Sequence, residues 1–249
     1  MTRPLLEVCV GSFADACIAD ECGADRIELN SALQLGGLTP SPATLRSTLQ
    51  QCSLKVVAMA RPRAGGFCYD DDHWETLLAD SQWMLEQGAH GVAFGCLNPD
   101  RTVAVSRVKQ MRKLAGGRQL VFHRAFDLVD DWQIALEKLI DAGVDRVMTS
   151  GCAESVPAGL ETIRQIAEQS ADRIEVIPAG GITSTNLADV LKATTCCQIH
   201  GSFSSSKPDL GYEDARFRFS PVDQIRATDR AHLESAMAIL NDFQQANPE

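Results

Sequence analysis

Three short segments concentrate side chains able to move protons or bind anions. His123-Arg124-Ala125-Phe126-Asp127 supplies an imidazole that titrates near neutrality, a permanent cation and a carboxylate spaced to orient either basic group. Arg61-Pro62-Arg63, followed by Gly65-Gly66, offers two planar guanidinium groups suited to bidentate recognition of carboxylate or phosphate. Pro178-Ala179-Gly180-Gly181-Ile182-Thr183 forms a glycine turn whose backbone N–H groups suit an anion, with Gly201-Ser202 further on. A Gly-Gly pair is as often a tight strand-to-helix connection, so both readings of Gly180 and Gly181 stand.

These segments need a scaffold that brings them together. Eight short apolar runs read as strands: Leu5–Val10, Arg26–Asn30, Leu54–Ala60, Gly91–Cys96, Gln119–His123, Arg146–Thr149, Ile174–Ala179 and Cys196–His200. Segments of helical periodicity separate them. Regular alternation implies parallel strands joined by right-handed crossovers, and eight units favour closure into a (β/α)8 TIM-type barrel. The 249 residues fit one such domain, spanning 1–249, since the fold typically takes about 250. Residues 201–221, rich in Ser, Gly and charge, read as a long loop after strand eight, serving as a lid or an oligomer contact. Residues 222–249 read as an additional C-terminal helix.

Alternation along each strand sorts its side chains, because the apolar face must cover the helices. Glu7 and Cys9 then point into the barrel, as do Arg26, Glu28 and Asn30, Met59 and Arg61, His123, Met148 and Ser150, and Cys196, Gln198 and His200. Catalytic and binding groups of this architecture gather at the carboxyl ends of the strands. Glu7, Glu28, His123, His200 and Asp127 are therefore the candidate acid/base groups. Arg61, Arg63, Arg124, Ser150, Gly180 and Gly181 are the candidate anion binders. The bland alternative is a buried ion-pair network that only holds the barrel together. Asp25-Arg26 and Asp145-Arg146, at the opposite strand ends, are expected to serve stability.

Glu7, Glu28, His123 and His200 are also possible ligands for a divalent ion, and Cys9, Cys96 or Cys152 could offer soft sulfur to monovalent copper. No ligand spacing demands a metal, and a free cysteine is often simply a small buried hydrophobe. Cys196 and Cys197 fall on opposite strand faces, which argues against shared chelation.

The net charge of −10 argues against a nucleic-acid partner, which would call for a field of Lys and Arg. No apolar run approaches the roughly 20 residues of a membrane span. Nine cysteines without a C-x-x-C pair suit a reducing compartment. With no secretion signal at the N-terminus, the cytoplasm is the expected location.

Leu5-Leu6-Glu7-Val8-Cys9, Gly23-Ala24-Asp25-Arg26-Ile27-Glu28-Leu29, Gly36-Gly37-Leu38-Thr39-Pro40-Ser41, Arg61-Pro62-Arg63 with Gly66-Phe67-Cys68-Tyr69, His123-Arg124-Ala125-Phe126-Asp127 and Thr149-Ser150-Gly151 together resemble the CutC copper homeostasis protein family. The resemblance runs to about His200. It implies a TIM-type barrel, a cytoplasmic homodimer and a role in copper tolerance and copper binding. The residues themselves, chiefly Glu, Arg, His and Asp, favour an alternative: an enzyme acting on a small anionic or sugar-like compound by acid/base chemistry at the barrel mouth. A third reading is a module whose bound ligand regulates an interaction through 201–221.

Overall fold

In a computed structural model that describes residues 3–208 and 224–246, strand and helix alternate along most of the chain. The strands are β1 (Leu5–Val10), β2 (Arg26–Leu29), β3 (Lys55–Met59), β4 (Gly91–Phe94), β5 (Gln119–Phe122), β6 (Arg146–Thr149), β7 (Glu175–Pro178) and β8 (Gln198–Gly201). Between them run α1 (Phe13–Glu21), α2 (Pro42–Gln51), α3 (Asp71–Glu86), α4 (Val105–Ala115), α5 (Trp132–Asp141), α6 (Val156–Ser170) and α7 (Leu187–Thr194). Ser12, Ser41, Asp70 and Asp131 cap α1, α2, α3 and α5, each side chain accepting a hydrogen bond from a first-turn backbone N–H.

The eight strands are parallel and ordered β7-β6-β5-β4-β3-β2-β1-β8, the sheet of a TIM barrel. One bridge, Ala179 to His200, joins β7 to β8 and closes the ring. Alternation holds as expected from the pattern. Leu6, Val8, Ile27, Val56, Phe94 and Phe122 form the layer under the helices, while Val57, Met59, Ala93, Val121, Met148 and Ile177 fill the barrel interior. At the amino ends of the strands, Asp25 accepts from the backbone N–H of Leu6 (2.7 Å) and Asp145 from that of Leu120 (2.7 Å). Each carboxylate thus pins the start of one strand to its neighbour.

Three expectations need correction. Residues after strand eight do not begin as a loop: β9 (Ser204–Pro208) pairs antiparallel with β10 (Gln224–Thr228), and 209–221 lie outside the described residues. The terminal helix starts at Arg230, as α8 (Arg230–Ala246), rather than at 222. β9 is a run of serines without apolar alternation, so only its pairing partner reveals it. Cys196 does not face the barrel interior but joins the layer under the helices. Thr195 is in the left-handed region (φ +57°) and β8 begins only at Gln198, so strand parity does not reach back that far. The hairpin is tied to the barrel where the Thr228 N–H donates to buried Asp15 (2.8 Å). α8 buries Leu233, Ala236 and Leu240 and packs against α1 and α7.

Candidate functional site

Register decides which inward side chains meet. Along β1, Glu7 lies beside Arg26 of β2 and His200 of β8, and one step toward the mouth Cys9 lies beside Glu28. Two polar tiers result, one above the other.

The lower tier is an ion network. Glu7 Oε2 accepts from Arg26 Nε and lies 3.7 Å from Arg146 Nη1. Arg26 continues to Gln198 (3.0 Å), and Arg146 to Glu175 (2.8 Å) and Gln119 (3.2 Å). Glu7 is fully buried and does not line the mouth cavity, so it is no free acid/base group. Burial alone would raise its pKa, but the His200 hydrogen bond and the Arg26, His200 and Arg146 charges outweigh burial and hold it well below the carboxylate range.

In the upper tier, Glu7 Oε1 and His200 Nδ1 are 2.9 Å apart, and His200 Nε2 lies 3.9 Å from Glu28 Oε2. Cys9 Sγ, a Glu28 oxygen and a His200 ring nitrogen all fall within 4.8 Å of one another. Asn30 Nδ2 donates to Glu28 Oε2 (2.9 Å) and approaches Cys9 Sγ (3.5 Å). Glu28 Oε1 is buried and has no hydrogen-bond partner. Burial, only partly offset by the His200 charge, pushes the Glu28 pKa up, and burial likewise raises the Cys9 thiol. For His200, burial works against the charge, yet bonds to Cys9 and Glu7 and the Glu28 charge carry its pKa well above 6.5.

Across the cavity, His123 caps a short 3-10 turn (Arg124–Leu128), with Nδ1 accepting from the Ala125 N–H at 3.1 Å. That bond assigns the ring proton of the neutral imidazole to Nε2, which is buried without a partner. Burial, and then the Arg61 charge, push His123 down to about 3, so the ring is a neutral hydrogen-bond donor at physiological pH. A Cβ on Gly95 would meet the ring at 2.4 Å, so only glycine leaves it room.

The arginines divide. Arg61 spends its terminal nitrogens on the carbonyls of Leu35 (3.0 Å), Gly37 (2.9 Å) and Gly65 (2.8 Å), and its side chain forms part of the cavity wall. Arg63 turns to the carbonyls of Ala64, Gly66 and Cys68 and, with Asp127, lines a separate depression of about 480 Å³. Asp127 is spent on structure: it accepts from Thr149 Oγ1 (2.6 Å), the Ser150 and Cys152 N–H groups and Arg124 Nε (2.8 Å). Ser150 is buried, bridging Asp127 and Arg124. Arg124 itself reaches the cavity beside Gly180 and Gly181. Gly180 has φ +110°, and a Cβ there would meet Arg124 Nη1 at 2.7 Å.

Cys9, Glu28, His200, His123, Arg61, Arg124, Gly180 and Gly181 thus share one mouth cavity of about 710 Å³, whereas Glu7, Arg63, Asp127, Ser150, Cys96 and Cys152 do not line it. Cys96 is buried under the helices with its thiol pushed up to about 12 by burial, and Cys152 is exposed elsewhere. Sequence reasoning left out Phe67, which lies against the His123 ring (4.7 Å between centroids), and Arg226 and His232 of the C-terminal appendage. The Arg-Pro-Arg motif could have pointed to Phe67. Nothing in the tail's pattern points to the other two.

Eight parallel strands with polar groups gathered at their carboxyl mouth define a TIM-type barrel carrying a candidate ligand site. The chain belongs to the CutC family, whose model matches residues 4–205. It is 44% identical over 195 residues to a family protein CutC of Treponema denticola, covering 78% of this chain and 79% of that one. It is 40% identical over 218 residues to the human copper homeostasis protein cutC homolog, covering 88% and 78%. A crystal structure of CutC from Streptococcus agalactiae superposes with a TM-score of 0.76 at 27% identity, over 80% of this chain and 98% of that one.

Proposed function

We propose that this CutC-family protein binds copper at Cys9, Glu28 and His200. One observation carries the reading: a thiol, a carboxylate and an imidazole converge within 4.8 Å on the cavity floor. Thiolate and imidazole suit monovalent copper. A carboxylate behind a ligating histidine is the usual outer partner of a metal site, and Glu7 occupies that position on His200 Nδ1. The unpartnered Glu28 Oε1 is an acceptor that a cation would satisfy. When bound, copper would displace the proton from Cys9, and the Glu7 contact would hold His200 with Nε2 toward the ion. The human relative's name gives the reading its physiological context, copper homeostasis. The reading fits a reducing cytoplasm, where thiols stay available. Among the described residues no helix is long and apolar enough to cross a membrane. Anaerobic titration with copper(I) against a competing chelator tests it: one equivalent bound by the wild-type protein and lost in Cys9→Ser supports the reading, and unchanged affinity in that variant overturns it.

A second reading rests on the other wall. A cavity of about 710 Å³ exceeds the needs of one ion and falls within the size range of small-molecule sites. His123 presents a neutral N–H there, able to polarise a carbonyl or phosphoryl oxygen, and Glu28, with its raised pKa, is an acid/base partner on the opposite side. This arrangement supports acid/base chemistry on a small anionic or sugar-like compound. Turnover that survives His123→Gln would exclude it.

A further inference from the structure

The charge of the cavity opposes that of the protein. The chain carries −10 overall, yet among the described residues lining the mouth there are three arginines, Arg61, Arg124 and Arg226, and Glu28 is the single carboxylate. A concave site lined by one sign of charge concentrates ligands of the other sign.

Two further observations point to a ligand. His123 Nε2 is buried and without a hydrogen-bond partner, on a residue only 4% exposed that lines the cavity. The backbone N–H groups of Gly181 and Ile182, in the turn after β7, have no acceptor among the described residues. The appendage contributes to the lining of the same cavity Arg226, exposed and bonded through one nitrogen to Ser204 Oγ (2.9 Å), and His232 at the start of α8. Both lie beyond residue 205, where the family match ends.

We propose that the mouth binds a small phosphate monoester. Its charged group is held by Arg124 and the Gly180–Thr185 turn on the barrel side and by Arg226 and His232 on the appendage side. Phosphate is favoured over carboxylate because two arginines, free backbone amides and the Thr183 and Ser202 hydroxyls offer more donors than two carboxylate oxygens accept. The loops after strands seven and eight are also where barrels of this kind commonly hold phosphate. The remaining volume, toward His123 and Glu28, takes the organic part. This deepens the second reading above, but binding and turnover are read separately.

The test uses the full-length, chelator-treated protein at fixed ionic strength. Glycerol 3-phosphate, ribose 5-phosphate and glucose 6-phosphate are compared by thermal shift and calorimetry with glycerol, ribose, glucose and inorganic phosphate. At least one ester is expected to raise Tm by several degrees at millimolar concentration, while its neutral counterpart does not. Arg226→Gln and His232→Gln together should weaken that ester about tenfold or more, roughly 1.4 kcal/mol per tenfold, with the ligand-free Tm unchanged. No shift from any ester, equal shifts from the neutral compounds or from inorganic phosphate, or unaltered affinity in the double variant each overturn the proposal. Binding without turnover leaves it standing and counts against the catalytic reading alone.

Discussion

Glu7 Oε1 sits 2.9 Å from His200 Nδ1, while its other oxygen meets Arg26 and faces Arg146. One carboxylate therefore links the ion network at the barrel floor to the ring that faces the mouth. Glu7→Gln is expected to leave Arg26 and Arg146 without their shared counter-charge. Removing one partner of a buried pair costs roughly 3–5 kcal/mol, measurable as a lower urea midpoint. In the fraction that folds, copper affinity should fall about 10- to 100-fold, the usual cost of losing an outer carboxylate. A midpoint within experimental error of wild type would show the network to be dispensable.

Copper binding should discriminate among the cysteines. Cys9→Ser is expected to weaken copper(I) at least tenfold, about 1.4 kcal/mol or more, whereas Cys96→Ser and Cys152→Ser should bind as wild type. Only Cys9 lies with Glu28 and His200. Competition titrations of the three variants side by side check this. Equal losses in all three would remove the basis for placing the ion at Cys9.

For His123 the sign of the pH effect follows from a folded pKa pushed down to about 3 from 6.5. Below pH 6.5 the unfolded chain takes up a proton that the folded chain refuses, so stability falls with falling pH. A single such group removes about 1.4 kcal/mol per pH unit, or about 2 kcal/mol between pH 7 and 5. Wild type should lose this much more than His123→Gln over that interval in denaturant unfolding. Parallel pH profiles would mean that the ring titrates normally.

Asp127 gathers donors from three places: Arg124, the hydroxyls of Thr149 and Ser150, and the backbone of residues 150 and 152. Asp127→Ala would leave several of them buried and unpaired, at about 1–3 kcal/mol for each group stranded. A Tm lower by many degrees is expected, together with loss of the Arg124 position at the mouth. A stable variant with unaltered ligand binding would contradict this assignment.

Much of the site was legible because strand parity is a two-valued question. Once Leu6, Val8, Ile27 and Leu29 are given to the helices, Cys9 and Glu28 must face inward, and they do. Depth was harder to see. Parity says that Glu7 points in, but only its register beside Arg26, one inward position below the lining pair Cys9 and Glu28, shows that it lies beneath the cavity. Past the strand ends parity has no force. Arg63 and Asp127, just beyond β3 and β5, turn into a neighbouring depression, and Cys196, just before β8, turns under the helices. Arg226 belongs to a hairpin whose strands pair across residues far apart in sequence, and no local pattern announces it.

The bridge between Ala179 and His200 gives the ring a seam, since every other neighbouring pair of strands is joined over two or more residues. His200 belongs both to that seam and to the candidate copper cluster, while Gly180 and Gly181 follow directly from its other side. Whatever docks at the mouth therefore acts as a rivet across the barrel's thinnest joint. Occupancy should be readable far from the ligand, as slower amide exchange along β7 and β8.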